Sequence, residues 1–228
     1  MSARPTALIT GASRGIGAAV AHALAPTHDL LLGGRDREAL EKICAELPGA
    51  RPWPVELTAV TPADVAGIDR LDVLVHSAGV ALLGRVEQAR AELWRRTMEI
   101  NVIAVAELTR LLLPALRAAR GRVVMINSGA GQRANPNWVP YAASKFALRA
   151  LADGLRLEEP DLRVTTVYPG RVDTDMQREV REQEKGAYQP ERYLNADSVA
   201  RAVLAAVIAS PDAHITDITV RPAAGPLT

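Results

Sequence analysis

Several absences frame this chain. Of its 27 basic residues only three are lysines, Lys42, Lys145 and Lys185. It has one cysteine and four tyrosines, and aromatic residues make up 4% of it. No apolar run approaches the length that crosses a bilayer. Each scarcity excludes something. A single cysteine cannot close an internal disulfide, and within "REALEKICAEL" Cys44 reads as a small apolar residue on a helix. Without a long apolar run, no membrane span is expected. The N-terminus lacks the basic and apolar blocks of a signal peptide, so a cytoplasmic location is expected. Charge of one sign is also missing: 27 basic against 26 acidic residues leave a net charge of +1. No global field therefore marks a nucleic-acid or membrane binder. His76 has no metal-ligand spacing to another histidine, and no metal is expected.

What is present is ordinary globular composition, 48% hydrophobic and 23% charged over 228 residues. That suffices for one sizeable core, and a single domain over 1–228 is expected. Short apolar runs alternate with helical patterns. The runs are "TALIT" (6–10), "DLLLG" (29–33), "RPWPVEL" (51–57), "LDVLVH" (71–76), "GRVVMIN" (121–127), "DLRVTTVY" (161–168) and "HITDITV" (214–220). Rich in Val, Ile and Leu, they have the look of strands buried on both faces. Pro52 and Pro54 would remove ladder donors from the third, which places it at a sheet edge. Amphipathic helical segments are expected at 15–26, 36–47, 90–119, 140–158 and 197–209, with a turn or two of helix in "TPADVAGI". The alternation predicts an α/β fold: a doubly wound, mostly parallel seven-stranded sheet of the Rossmann kind, with helices on both faces. In such sheets ligands bind outside the carboxyl ends of the strands.

After the first strand comes "TGASRGIG". Gly11, Gly15 and Gly17 permit a tight turn, close approach of backbone N–H groups to a phosphate, and close helix–strand packing. The following helix would face a pyrophosphate with its unpaired N–H groups and positive dipole end. A second signal is "YAASK", which puts Lys145 four residues after Tyr141. Chance gives such a pair in about one sequence in twenty of this composition, so the pair needs support from other residues. With Pro140 at a first helical position, the two share a helix face. An ammonium at about 4 Å, in an effective dielectric of about 20, supplies about 4 kcal/mol. That would lower the phenol pKa by roughly three and bring Tyr141 near neutrality, where a general acid/base works best.

"TGASRGIG" followed by "YAASK" resembles the short-chain dehydrogenase/reductase family in its single-domain form. Other motifs extend the resemblance. "HSAG" (76–79) looks like the family's N-N-A-G, with His76 and Ser77 in place of the two asparagines. Asn101 in "MEINVIA" matches its helical asparagine, Ser128 lies at the family's spacing from Tyr141, and "PGRVDT" (169–174) resembles its P-G-x-x-x-T. The resemblance implies a nicotinamide-dependent oxidoreductase acting on a small-molecule carbonyl or alcohol. Tyr141 would exchange a proton with the carbonyl oxygen and Ser128 would hydrogen-bond it. Lys145 would also hold the nicotinamide ribose, and Asn101 would hold a proton-relay water. Cofactor contacts are implied for Gly11, Ser13, Arg14, Gly15, Ile16, Gly17, Glu56, Leu57, Ala78, Gly79, Asn101, Tyr141, Lys145, Pro169, Gly170, Val172 and Thr174. His76 reads as a satisfied strand-end residue rather than a catalyst.

Arg35 after the second strand, with Arg14 in the glycine loop, would flank a 2′-phosphate, so NADP(H) is expected over NAD(H). Asp36 reads as a helix N-cap. Trp138 is either a pocket wall or a packing anchor. The charged stretch 174–195 is read as a lid over the site rather than a solvated helix pair. An apolar face of the 140–158 helix (Ala143, Ala147, Ala150, Leu151), together with the 90–119 segment, points to a homodimer or homotetramer, as the resemblance also does. Two rivals remain. A sugar-nucleotide epimerase shares Tyr-x3-Lys but has another glycine spacing and a longer C-terminal domain, whereas this chain ends soon after "ITDITVRPAAGP". A nucleotide-binding regulator without catalysis would be expected to lack Tyr141, Lys145 or Ser128.

Overall fold

A computed structural model describes residues 4–223. The ends assigned above to the single domain, 1–3 and 224–228, lie outside the described residues, as do the last residues of "ITDITVRPAAGP". The strands are β1 (Thr6–Thr10), β2 (Asp29–Gly34), β3 (Ala50–Pro54), β4 (Val73–His76), β5 (Arg122–Ile126), β6 (Arg163–Pro169) and β7 (Asp217–Val220). They form one parallel seven-stranded sheet in the order β3-β2-β1-β4-β5-β6-β7. The proline-bearing β3 is an edge strand, as Pro52 and Pro54 require. Strand order reverses between β1 and β4, which opens a crevice at the carboxyl ends of the central strands.

The apolar runs are continuous because alternate residues bury against opposite helical layers. Ala7, Ile9, Leu30, Leu32, Val73 and Val75 face one cluster, which includes Val20 and Leu24 of α1 (Gly15–Leu24), Leu40 of α2 (Arg37–Glu46) and Val199 and Val203 of α7 (Ala196–Val207). Leu8, Leu74, Val123 and Met125 face the other, with Leu108, Leu112 and Leu116 of α4 (Ala104–Ala119) and Leu148, Ala152 and Leu155 of α5 (Val139–Glu158). Each such leucine contributes about 1.5–3 kcal/mol by leaving water.

Two elements differ from the sequence reading. The single helix expected over 90–119 is α3 (Ala91–Met98), a π-helical turn at Glu99–Ile103, and then α4. The last strand begins at Asp217 rather than His214. "TPADVAGI" forms the short helical turn expected of it, a 3-10 turn at Pro62–Val65 capped by Thr61 and Asp64. Within the 174–195 stretch, α6 spans Asp175–Gln183 and a short 3-10 turn spans Pro190–Arg192. Among the described residues, no helix is long and apolar enough to cross a membrane.

Candidate active site

The strand exits converge on one cleft of about 970 Å³. Every residue nominated from the sequence lines it except Asn101. The glycine loop forms one end. Gly11 adopts φ +64°, and a Cβ there would lie 2.8 Å from the backbone of Ala78. A Cβ at Gly17 would lie 2.2 Å from the Gly11 carbonyl, so only glycine lets α1 seat against the β1 exit. Arg14, the N-cap of α1, makes no side-chain cap bond, and Gly15, Ile16 and Gly17 face the cleft. An uncapped helix N-terminus is thus presented to whatever the cleft holds. Thr10 ties this loop to the β4 exit: its hydroxyl accepts from the amides of Ser77 (3.1 Å) and Ala78 (3.2 Å).

His76 is fully enclosed, with Nε2 2.9 Å from the Thr109 hydroxyl. Thr109 donates its own proton to the Val105 carbonyl, so Nε2 is the donor in the His76 pair. Burial lowers the His76 pKa to about 3. It is a neutral structural residue, as read.

The chemical end is built from β5, α5 and the π-turn. Ser128 leaves β5 in extended backbone, its Oγ accepting from the Ala130 amide. Tyr141 and Lys145 stand on the first turns of α5, both buried. The Lys145 ammonium donates to the Ile126 carbonyl at 3.0 Å and lies 5.8 Å from the Tyr141 ring centre. Burial lowers Lys145 to about 8. Burial also raises Tyr141 above the ordinary phenol value, opposed by a hydrogen bond with Ser128. The sequence expectation of a phenol lowered toward neutrality is therefore corrected. The ammonium is turned to a backbone oxygen, and losing water costs the phenolate more than Ser128 returns.

Asn101 lies behind the cleft wall, 1% exposed. Its Oδ1 accepts from the Val80 amide, and its Nδ2 donates to the Val80 carbonyl and to Ser144 Oγ, all within 3.0 Å. The π-turn around it follows a common habit of functional helices. Trp138 is both alternatives at once. It lines the cleft edge-on to Tyr141 (5.7 Å between ring centres), and Nε1 is anchored on Glu184.

At the β2 end of the cleft, Arg35 is exposed and pairs with Glu56 at 3.8 Å. Arg14 pairs with Asp175 at 3.4 Å. Asp36 caps α2 by accepting from the Ala39 amide. Glu56 accepts from the amide and hydroxyl of Thr58.

The sequence reading missed two polar residues. Asn127 ties the Ser128 turn to α5: Oδ1 accepts from the Ser128 amide (2.8 Å) and Nδ2 donates to the Lys145 carbonyl (3.0 Å). An asparagine at the strand exit beside Ser128 was the available signal. Gln177, on the first turn of α6, lines the cleft at 7% exposure, and its Nε2 has no hydrogen-bond partner among the described residues. A buried amide donor without an acceptor costs stability unless a ligand completes it. The side-chain-free glycine turn, the uncapped α1 terminus and this orphan donor together fit a phosphate-bearing dinucleotide.

Comparison with known proteins agrees. The family model described as short chain dehydrogenase matches residues 5–185. Dehydrogenase/reductase SDR family member 11 of Gallus gallus is 32% identical over 242 residues, covering 95% of this chain and 95% of that one. The alcohol dehydrogenase of the archaeon Thermococcus sibiricus, solved in complex with 5-hydroxy-NADP, superposes with a TM-score of 0.87 at 28% identity, covering 98% of this chain and 99% of that one. A variant actinorhodin polyketide ketoreductase, solved with NADPH, gives 0.87 at 25% identity over the whole of both chains. A glycine turn and a Tyr–Ser–Lys cluster on one parallel sheet, matched along most of the chain, lead to one conclusion: this protein belongs to the short-chain dehydrogenase/reductase family and is an NAD(P)-dependent oxidoreductase.

Proposed function

We propose that the enzyme interconverts a carbonyl and a secondary alcohol with NADP(H), and that Tyr141 carries the proton. The observation behind this reading is that Tyr141, Ser128 and Lys145 share one cleft with the glycine loop. The cofactor supplies or accepts the hydride when bound. The protein's part is the proton and the alignment. A Tyr141 phenol held above its ordinary value is protonated at neutral pH and can donate to a carbonyl oxygen. Ser128, bonded to that phenol, can hold the same oxygen. Lys145, cationic below about pH 8, favours the phenolate left behind and would reach the ribose hydroxyls. Asn127 fixes Ser128 against α5, and Asn101 fixes Val80 behind them.

Two features support NADP(H) over NAD(H). Arg35 has only a distant, exposed carboxylate as partner. Asp36, the acid that would take a ribose 2′-hydroxyl, is committed to capping α2. Gln177 would add a donor to the same cofactor, and Ser13, Glu56, Leu57, Pro169, Gly170, Val172 and Thr174 would line it. The reading also takes the chain as one cytoplasmic domain. α6 and the turn after it act as a lid, held by Gln183, whose Oε1 accepts from the Leu83 amide and whose Nε2 donates to the Ala81 carbonyl. The exposed Ile103 of the π-turn and Phe146 of α5 support a homodimer or homotetramer through this part of the surface.

The test is Tyr141→Phe with NADPH and a carbonyl panel. Cofactor affinity should hold while turnover falls by more than about a hundredfold, the scale of general-acid catalysis. Activity within tenfold of the unmutated enzyme would remove Tyr141 from its role. An unmutated enzyme with no turnover on any carbonyl would favour the regulator.

A further inference from the structure

We propose that the substrate is an anionic carbonyl compound, bearing a carboxylate or phosphate, and that Arg133 takes its charge. The proposal rests on the carbonyl/alcohol reading above. Its ground is the charge around the cleft beyond Tyr141. Trp138 stands against Tyr141, so the loop carrying Trp138 and the residues packed on it border the substrate side. Glu184 is a cleft carboxylate there, and two arginines share it: Arg171 at 2.8 and 3.0 Å and Arg181 at 2.6 Å. That group keeps one positive charge. Among the described residues Arg221 bonds only neutral oxygens, the Tyr168 carbonyl at 2.8 Å and Gln132 Oε1 at 2.9 Å. Arg133 is exposed at the cleft wall, and its side chain has no partner among the described residues.

At the other end of the cleft Arg14 pairs with Asp175 at 3.4 Å, and Arg35 is the cation already assigned to the cofactor. A lone exposed arginine means little. Three uncompensated cations around one concave wall focus a field that attracts an anion. The Arg133 amide bonds the Gly129 carbonyl at 3.1 Å, so Arg133 and Ser128 belong to one tight turn. An oxyanion paired with Arg133 in the two-pronged way of guanidinium would thus hold a nearby carbonyl toward Ser128 and Tyr141.

The experiment compares kcat/KM for levulinate and benzoylformate with that for their methyl esters, using NADPH at low salt. The acids should be favoured by at least about tenfold, the factor given by about 1.4 kcal/mol. That ratio should fall by about tenfold in Arg133→Met and shrink as salt screens the site, while Arg201→Met on α7 leaves it in place. Esters reduced as fast as acids, or a ratio that survives Arg133→Met, would overturn the proposal and leave the carbonyl reading standing. Failure to reduce any acid, ester or neutral ketone would overturn both.

Discussion

Gln177→Leu should make the empty protein more stable and the loaded protein less so. The amide of Gln177 is buried at 7% exposure with its nitrogen unpaired. An unsatisfied buried donor costs about 1–3 kcal/mol, and leucine fills a similar volume without one. Both residues are good helix formers, so α6 itself is not weakened. For a chain of this size each kcal/mol moves the midpoint by about 2–4 °C, so the cofactor-free variant should melt about 2–12 °C higher. If the amide completes its bond on the dinucleotide, the same change should raise the NADPH dissociation constant about tenfold, removing about 1.4 kcal/mol of binding. At saturating NADPH the advantage of the variant should shrink or reverse. Scanning calorimetry with and without NADPH, together with titration calorimetry, reads both halves. A variant that melts lower when empty refutes the orphan-donor argument. One that melts higher but binds NADPH as tightly refutes its ligand.

Other expectations follow from the same geometry. His76 has a folded pKa of about 3 against an ordinary 6.5, so the unfolded chain binds the extra proton in that window and stability falls as pH drops through it. His76→Asn should flatten the acid slope of urea midpoints by up to about 1.4 kcal/mol per pH unit; an unchanged slope would mean the ring is not neutral and enclosed. Arg35→Asp removes a charge-assisted bond worth about 1.5–3 kcal/mol, so NADPH should weaken at least tenfold while NADH holds or improves. Equal affinity for the two cofactors in the unmutated enzyme would end that assignment. Asn101→Ala strips partners from both backbone groups of Val80 and should cost about 2 kcal/mol in urea unfolding. A loss below half of that would mean solvent replaces the amide.

Much of this was legible in the sequence because the decisive positions tolerate few residue types. The β1 exit needs glycine where a Cβ would strike Ala78 or the Gly11 carbonyl. Prolines marked β3 as an edge, and alternating burial left the apolar runs unbroken. What stayed hidden depends on direction rather than identity. Tyr141 and Lys145 share a helix face as their spacing says, yet spacing cannot tell that the ammonium points to Ile126. The π-turn at Asn101 is a slip of one residue inside a pattern that reads as continuous helix. Asn127 and Gln177 are ordinary polar letters until folding buries them. The start of β7 was placed early because "HIT" has strand-like residues, although pairing with β6 begins at Asp217.

The scarcity of lysine reaches beyond catalysis into how the protein can be handled. Amine-coupling reagents find three side chains, and Lys145 is walled in at 6% exposure. Of the two on the surface, Lys185 follows α6 beside the cleft, and Lys42 stands on α2, outside the cleft lining. A Lys185→Arg protein would keep one surface lysine. Apart from the chain's own amino terminus, a resin or dye would then grip the molecule at α2 alone, leaving the catalytic mouth clear of the support.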